Sequence, residues 1–237
     1  MIPKAMVLAA GRGTRMGELT RDVPKPMLPL NGKPMIEHIV RRLQEAGVRE
    51  ILMVVGYRGN AIEEHFRVGF GGISFVVQEV AEGTAAAVRL GREFVGGDPF
   101  ILTYGDIICA AANYSGIFET RERCNAAAAP GVKYADDPWQ GAAVYCDETG
   151  AVTKIVEKPP RGTSTTHWNS AGLYAFSPEI FDEIATVRRS PRGEYEITTA
   201  IEQLIEHGRP VRMFEMTGAW RDVGRPEDLA VADEILL

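Results

Sequence analysis

The sequence predicts an α/β fold of the Rossmann-like kind, a three-layer sandwich around a mostly parallel mixed sheet. Three observations carry that expectation. Apolar runs of strand length alternate with helical patterns from Ala5 to Tyr104, which implies right-handed crossovers and helices on both faces of the sheet. A glycine loop, Gly11-Arg12-Gly13-Thr14-Arg15, directly follows the first apolar run, and such folds collect ligands beyond the carboxyl ends of their strands. A chain of 237 residues buries a sizeable core as one unit, so 1–237 is read as a single domain.

Taken in order, Ala5 to Leu8 is a first buried strand. Pro34 opens a helix in which Ile36, Ile39, Val40, Leu43 and Ala46 share a face, with Gly47 as its stop. Ile51 to Val55 is a strand, Ile62 to Phe66 a helix, Ile73 to Val77 a strand, Thr84 to Phe94 a helix and Phe100 to Tyr104 a strand. Beyond Asp106 the pattern changes. Gly141 to Cys146 and Ala151 to Val156 flank Asp147-Glu148-Thr149-Gly150, a turn that predicts an antiparallel hairpin. Arg161 to Thr166 reads as a mobile loop, Glu194 to Glu206 as an amphipathic helix and Arg225 to Leu237 as a short closing helix. No hexapeptide repeat follows, so no carboxy-terminal β-helix domain is expected.

A net charge of −6 argues against a general nucleic-acid binder, which needs a basic face. No apolar stretch reaches the roughly 18 residues of a membrane span, and the amino terminus lacks a signal-peptide pattern. The expectation is therefore a cytoplasmic protein with no membrane partner. Cys109, Cys124 and Cys146 are odd in number and lack close pairs, which suggests free, mostly buried thiols rather than disulfides or a zinc knuckle. His38, His65, His167 and His207 form no pattern with a nucleophile.

The glycine loop is read as a phosphate loop. Gly11 and Gly13 let backbone N–H groups approach an anion, while Thr14, Arg15 and Lys25 add donors and charge. Its spacing fits neither common alternative. A dinucleotide loop needs a glycine where Met16 stands, and a P-loop needs Gly-Lys-Ser/Thr where Gly17 is followed by Glu18.

The stretch from Ala5 to Ile36, with Lys25-Pro26-Met27-Leu28-Pro29 and Lys33-Pro34-Met35-Ile36, resembles the amino-terminal signature of the sugar-1-phosphate nucleotidylyltransferases. The likeness continues at Gly105-Asp106, Glu157-Lys158-Pro159, Asn169 to Tyr174 and Trp220-Arg221-Asp222-Val223-Gly224. Five pieces in the family's order cover nearly the whole chain. The resemblance implies a GT-A-like fold and transfer of a nucleotidyl group from a nucleoside triphosphate to a sugar 1-phosphate, with pyrophosphate released. That chemistry asks mainly for positioning and charge neutralisation, and the sugar phosphate already carries a nucleophilic oxygen, so no general base is required.

By itself a lone Asp at a strand end, as Asp106 is, more often serves as a turn former or helix cap than as a ligand, and Asp222 reads as a turn or ion-pair residue. The resemblance assigns both to magnesium, which takes one or two carboxylates beside phosphate oxygens and water. Arg15 is expected on the β- and γ-phosphates and Lys25 on the α-phosphate or the leaving pyrophosphate. Gln78 would read a uracil or thymine edge with donor and acceptor together. Leu8, Ala9, Ala10, Gly11, Gly13, Thr14, Gly83 and Thr84 complete the expected nucleotide site. On the sugar-phosphate side the resemblance places Gly141, Glu157, Lys158, Asn169, Gly172 and Glu194, with the hairpin covering the acceptor. Thr199 stands where many members carry Asp, and Cys109 to Asn113 is unusually rich in alanine. UTP or dTTP with a glucose-type phosphate is favoured. GTP with a mannose- or heptose-type phosphate, CTP with phosphocholine, and an inactive regulatory subunit are the rivals, and self-association is left open.

Overall fold

The computed structural model describes residues 2–236. In chain order the elements are β1 (Lys4–Ala9), the two-residue pair β2 (Pro29–Leu30) and β3 (Lys33–Pro34), α1 (Met35–Glu45), β4 (Glu50–Val55), α2 (Gly59–Phe66), β5 (Ile73–Val77), α3 (Thr84–Arg89), α4 (Arg92–Val95), β6 (Phe100–Tyr104), β7 (Ile107–Cys109), α5 (Ala111–Arg123), β8 (Ala128–Tyr134), β9 (Ala142–Cys146), β10 (Val152–Glu157), β11 (Trp168–Phe176), α6 (Ile180–Ile184), α7 (Ile197–Glu206), β12 (Phe214–Glu215), β13 (Trp220–Asp222) and α8 (Pro226–Leu236).

Four parallel strands lie in the order β6-β1-β4-β5, and β12 adds a short parallel pairing on β8. The chain thus runs outward from β1 and then returns to its other side, which opens a crevice at the carboxyl ends of β1 and β6. Antiparallel β11 pairs with β6, and the hairpin β9–β10 continues the sheet beyond β11. Strand β11 changes neighbours part-way. Its Asn169 pairs with Ala143 of β9, whereas Leu173 to Phe176 pair with β6. Between these segments its register on β8 shifts, around Gly172 at φ +71.

Strand residues alternate between two cores. Ala5, Val7 and Ala9 with Ile51, Met53 and Val55 face one side, packed by α1, α2 and α5. Met6, Leu52 and Val54 face the other, packed by α3, α6 and α7. Both faces of the central strands are buried, which is why they read as continuous apolar runs. The three-layer expectation is met. Among the described residues no helix is long and apolar enough to cross a membrane.

Several local expectations need correction. The helix expected over Thr84 to Phe94 is broken at Leu90-Gly91, where the N–H groups of Leu90 and Gly91 bond three residues back. Gly91 is pressed onto the Met6 methyl, leaving no room for a Cβ. The helix expected from Glu194 starts only at Ile197. Tyr195 spends its backbone N–H on Glu82 O, at 2.7 Å, and its carbonyl on Ala85 N, at 2.8 Å, so the segment stays extended. The closing helix is found over Pro226–Leu236, with Leu237 outside the described residues. Cys109 is buried and its thiol is pushed up to about 11 by burial, while Cys124 and Cys146 are only half-buried; all three are free. Strand β7, helix α5 and strand β8 had no counterpart in the pattern after Asp106. Helix α5 carries Gly116 beneath the Phe214 ring, where a Cβ would stand 2.7 Å from the ring edge.

Candidate active site

Two cavities adjoin at the carboxyl ends of the parallel strands. The smaller, of about 260 Å³, is lined by Leu8 and Ala9 at the end of β1, by Ala10 and Gly11 after it, and by Gln78 after β5. The larger, of about 620 Å³, lies between the β9–β10 hairpin, β11 and the β13 region. Thr84, Tyr104, Asp106 and Glu194 line both. A ligand spanning the two would therefore pass Asp106.

In the smaller cavity a Cβ on Gly11 meets no protein atom within 4 Å, so the space a side chain would fill is open to a ligand. Gln78 donates through Nε2 to Gly83 O at 3.4 Å, which orients its amide across the cavity. Gly13 plays a different part. It begins a 3₁₀ segment, Thr14–Thr20, at φ +63, and a Cβ there would stand 2.7 Å from Lys25 Cβ. Gly13 thus seats Lys25, and neither Gly13 nor Thr14 lines either cavity. Arg15 is exposed and lines the larger cavity, with its guanidinium 3.5 Å from where a Gly224 Cβ would be.

At the junction, Lys25 is 6% exposed and its Nζ donates to Asp106 Oδ2 at 2.6 Å. The two acids expected to hold metal come from distant parts of the chain. Strand β13 pairs antiparallel with β7, Asp222 opposite Ile107, and Val223 N donates to Asp106 O at 2.9 Å. That ribbon is what brings Asp222 beside Asp106. Asp222 opens onto the cavity, yet the surrounding protein, and then the charge of Asp106, push its carboxyl above its ordinary range, against the opposing pull of Lys25 and Arg15. Two crowded carboxylates with an open face fit a divalent cation that completes its shell with phosphate oxygens and water. Among the described residues no cluster of three or more His, Cys, Asp or Glu could form an all-protein metal cage.

The larger cavity holds a charged wall. Arg192 donates to Glu196 at 3.1 Å, to Glu194 at 3.3 Å and to Glu157 at 3.4 Å, and Thr198 Oγ1 donates to Glu157 Oε2 at 3.2 Å. Burial, and then the charge of Glu196, raise the Glu157 carboxyl. Lys158, at the end of β10, holds a left-handed backbone at φ 42 and donates its N–H to Gly141 O at 2.8 Å. A side-chain-bearing residue in that conformation is held there by its surroundings. Asn169 packs over Gly141 with its Oδ1 buried and unpartnered, and Gly172 lets Tyr104 and Ile107 approach. Every sugar-side residue expected from the resemblance lines this cavity: Gly141, Glu157, Lys158, Asn169, Gly172 and Glu194.

Arg192, Glu196, Thr198 and Tyr104 were missed in the sequence. A signal for Glu196 was present: Glu194 and Glu196 alternate, and in an extended segment alternate residues share a face; reading the stretch as helix hid it. Arg192 sits in the turn that Gly193 N closes on Ser190 O, and no local pattern marks it. Four histidines stay away from both cavities, engaged with Leu30 O, Glu37, the Ala135 and Asp136 carbonyls, and Glu183.

Comparisons with known proteins place the chain in a family. The chain is 33% identical over 99% of its length to the low-salt glycan biosynthesis nucleotidyltransferase Agl11 of Haloferax volcanii, of which it spans 66%. It is 35% identical over 98% of its length to the UTP–glucose-1-phosphate uridylyltransferase AglF of the same organism, of which it spans 96%. It spans about half the length of several further curated relatives. Its fold matches a UDP-glucose pyrophosphorylase crystallised with UDP-glucose, at a TM-score of 0.90 and 22% identity, covering 100% of this chain and 98% of that one. The nucleotidyl transferase family model matches residues 4–237, and with a glycine loop, paired acids and two joined cavities in one crevice, the chain belongs to that family.

Proposed function

We propose that this protein is a magnesium-dependent nucleotidylyltransferase joining UTP or dTTP to a glucose-type sugar 1-phosphate. The observation that carries the reading is the meeting of the two cavities at Asp106, with Lys25 and Asp222 beside it. A nucleoside in the smaller cavity would place its phosphates at this junction, and a sugar phosphate in the larger one would reach the same point.

An oxygen of the sugar phosphate attacks the α-phosphorus, the bond from that phosphorus to the α,β-bridging oxygen breaks, and pyrophosphate leaves with the electron pair. Both reactants are anions, so the protein's task is alignment and charge neutralisation. Gln78 presents an amide donor and acceptor to the base, and the backbone of Leu8 to Gly11 borders the nucleoside. Arg15 and Lys25 neutralise the triphosphate. Lys158 and Arg192 face the sugar phosphate, while Glu157, Glu194 and Asn169 accept or donate to sugar hydroxyls. Asp106 and Asp222 would hold the magnesium ion, which when bound offsets phosphate charge as a Lewis acid. The uridylyltransferase activity of the relative AglF supports uridine and glucose as first substrates to try. A cytoplasmic location, where nucleoside triphosphates are made, accords with this reading.

A panel of four nucleoside triphosphates against several sugar phosphates, scored by pyrophosphate release with and without chelator, tests it. UTP or dTTP with glucose 1-phosphate should turn over fastest and only with divalent cation. An optimum with GTP and a mannose-type phosphate, or with CTP and phosphocholine, overturns the base assignment. No turnover with any pair overturns the enzyme reading in favour of a regulatory subunit.

A further inference from the structure

We propose that Lys25 is the resident counterion of the two-carboxylate site, so that a divalent cation and Lys25 compete for Asp106 and metal entry is tied to arrival of the nucleotide. The proposal rests on the metal reading of Asp106 and Asp222 given above. It goes beyond that reading because it concerns what Lys25 does before any substrate binds.

The geometry is specific. Lys25 is buried, with its side chain 8% exposed, and its ammonium lies 2.6 Å from Asp106 Oδ2. A buried ammonium needs a partner. Lys25 is not free to swing at random, because its stem is gripped by Gly13, whose missing Cβ is what lets the two segments touch, and by the 3₁₀ turn Lys25–Met27. Asp106 is equally constrained: Gly105 N donates to Leu8 O at 2.8 Å and Asp106 O accepts from Val223 at 2.9 Å. The pair therefore forms at the point where β1 and β6 end, between the cavities, and its ammonium partly offsets the mutual repulsion of Asp106 and Asp222.

A divalent cation arriving alone must take the Asp106 carboxylate from Lys25 and leave that ammonium buried beside a second cation. Triphosphate oxygens at the same junction would offer Lys25 a replacement anion, and the competition would then lapse. Lys25 would thus couple two ligands through one ion pair, a reciprocal linkage of the ordinary thermodynamic kind.

The test is equilibrium binding of Mn²⁺ alone to the substrate-free protein, read from the electron paramagnetic resonance signal of the free aqua ion. Wild type is compared with Lys25→Met, which keeps the stem, and with Lys25→Gln, which keeps a donor without the charge; circular dichroism reports that each is folded. Both variants should bind Mn²⁺ roughly ten- to a hundredfold more tightly than wild type, and their melting temperatures should rise more on saturation with Mn²⁺. If one variant does not fold, the other decides. Equal or weaker binding by the folded variants overturns the counterion role while leaving the metal site standing. Absence of saturable binding in wild type and variants alike overturns this proposal together with the metal reading. Neither readout depends on turnover, so the substrate assignment stands or falls separately.

Discussion

Replacing Gly83 by alanine should loosen both substrate walls at once, because this glycine forms a seam between them. Its backbone lies at φ 111 and ψ 176, a region reserved almost entirely for glycine. An added Cβ would stand 2.5 Å from Tyr195 O and 2.7 Å from Tyr195 N. Those two atoms make the hydrogen bonds to Ala85 and Glu82 that zip the nucleotide-side segment onto the extended segment leading into α7, reinforced by Ile197 N donating to Thr84 Oγ1 at 2.9 Å. Backbone strain of about 1–3 kcal/mol, with the loss of two hydrogen bonds at about 1 kcal/mol each, gives a destabilisation of about 3–5 kcal/mol. For a domain of this size that corresponds to a fall in Tm of roughly 6–20 °C. Differential scanning calorimetry measures the first effect. Steady-state kinetics measures the second: KM should rise for the nucleoside triphosphate and for the sugar phosphate, since Thr84 and Glu194 line both cavities. A Tm within about 3 °C of wild type, with both KM values unchanged, would show that the seam carries neither stability nor coupling.

Asp106→Asn and Asp222→Asn should each cut turnover roughly a hundredfold or more with the fold retained; activity within about threefold of wild type at saturating magnesium removes that residue from the metal site. Gln78→Ala should erode a preference of roughly ten- to a hundredfold for UTP or dTTP over GTP, the worth of one or two oriented hydrogen bonds, and an unchanged ratio of kcat/KM values assigns base choice elsewhere. Away from the site, Glu37 is buried and accepts from Arg41 at 2.7 Å and from His65 at 2.9 Å. Burial pushes its carboxyl up, but these two partners more than offset it and hold it below the ordinary 4.5. A lowered folded pKa means stability that is present above 4.5 and is lost as pH falls through the lower folded value. Glu37→Gln should therefore cost about 1–3 kcal/mol at pH 7, and the urea midpoints of the two proteins should converge below pH 4.5. Curves that stay parallel down to pH 3 would refute the assignment.

Much of this protein was legible in its residues. The strands Ile73–Val77 and Phe100–Tyr104 match the expectation to the residue. Phe100 to Thr103 are buried inside the sheet, as a central parallel strand must be. The edge strand Ile73–Val77 is only half-buried, with Ser74 and Val77 exposed, and its bounds follow from Gly71-Gly72 before it and the polar Gln78-Glu79 after it. The glycine loop was legible as a tight turn after the first strand: Gly13, at φ +63 and against Lys25 Cβ, stands where only glycine fits, while open space surrounds Gly11. What the residues could not reveal depended on pairing at a distance. Nothing local says that Asp222 lies against Asp106, since only the β7–β13 ribbon joins them, nor that Lys25 spends its charge on Asp106 rather than on solvent. Helical propensity favoured a helix from Glu194, but bonds from Tyr195 to Glu82 and Ala85 outweighed it and turned Arg192, Glu194 and Glu196 into one wall of a cavity. Local chemistry determined the strands and the loop; the sheet order, which sets partners far apart in the chain side by side, decided the charges of the site.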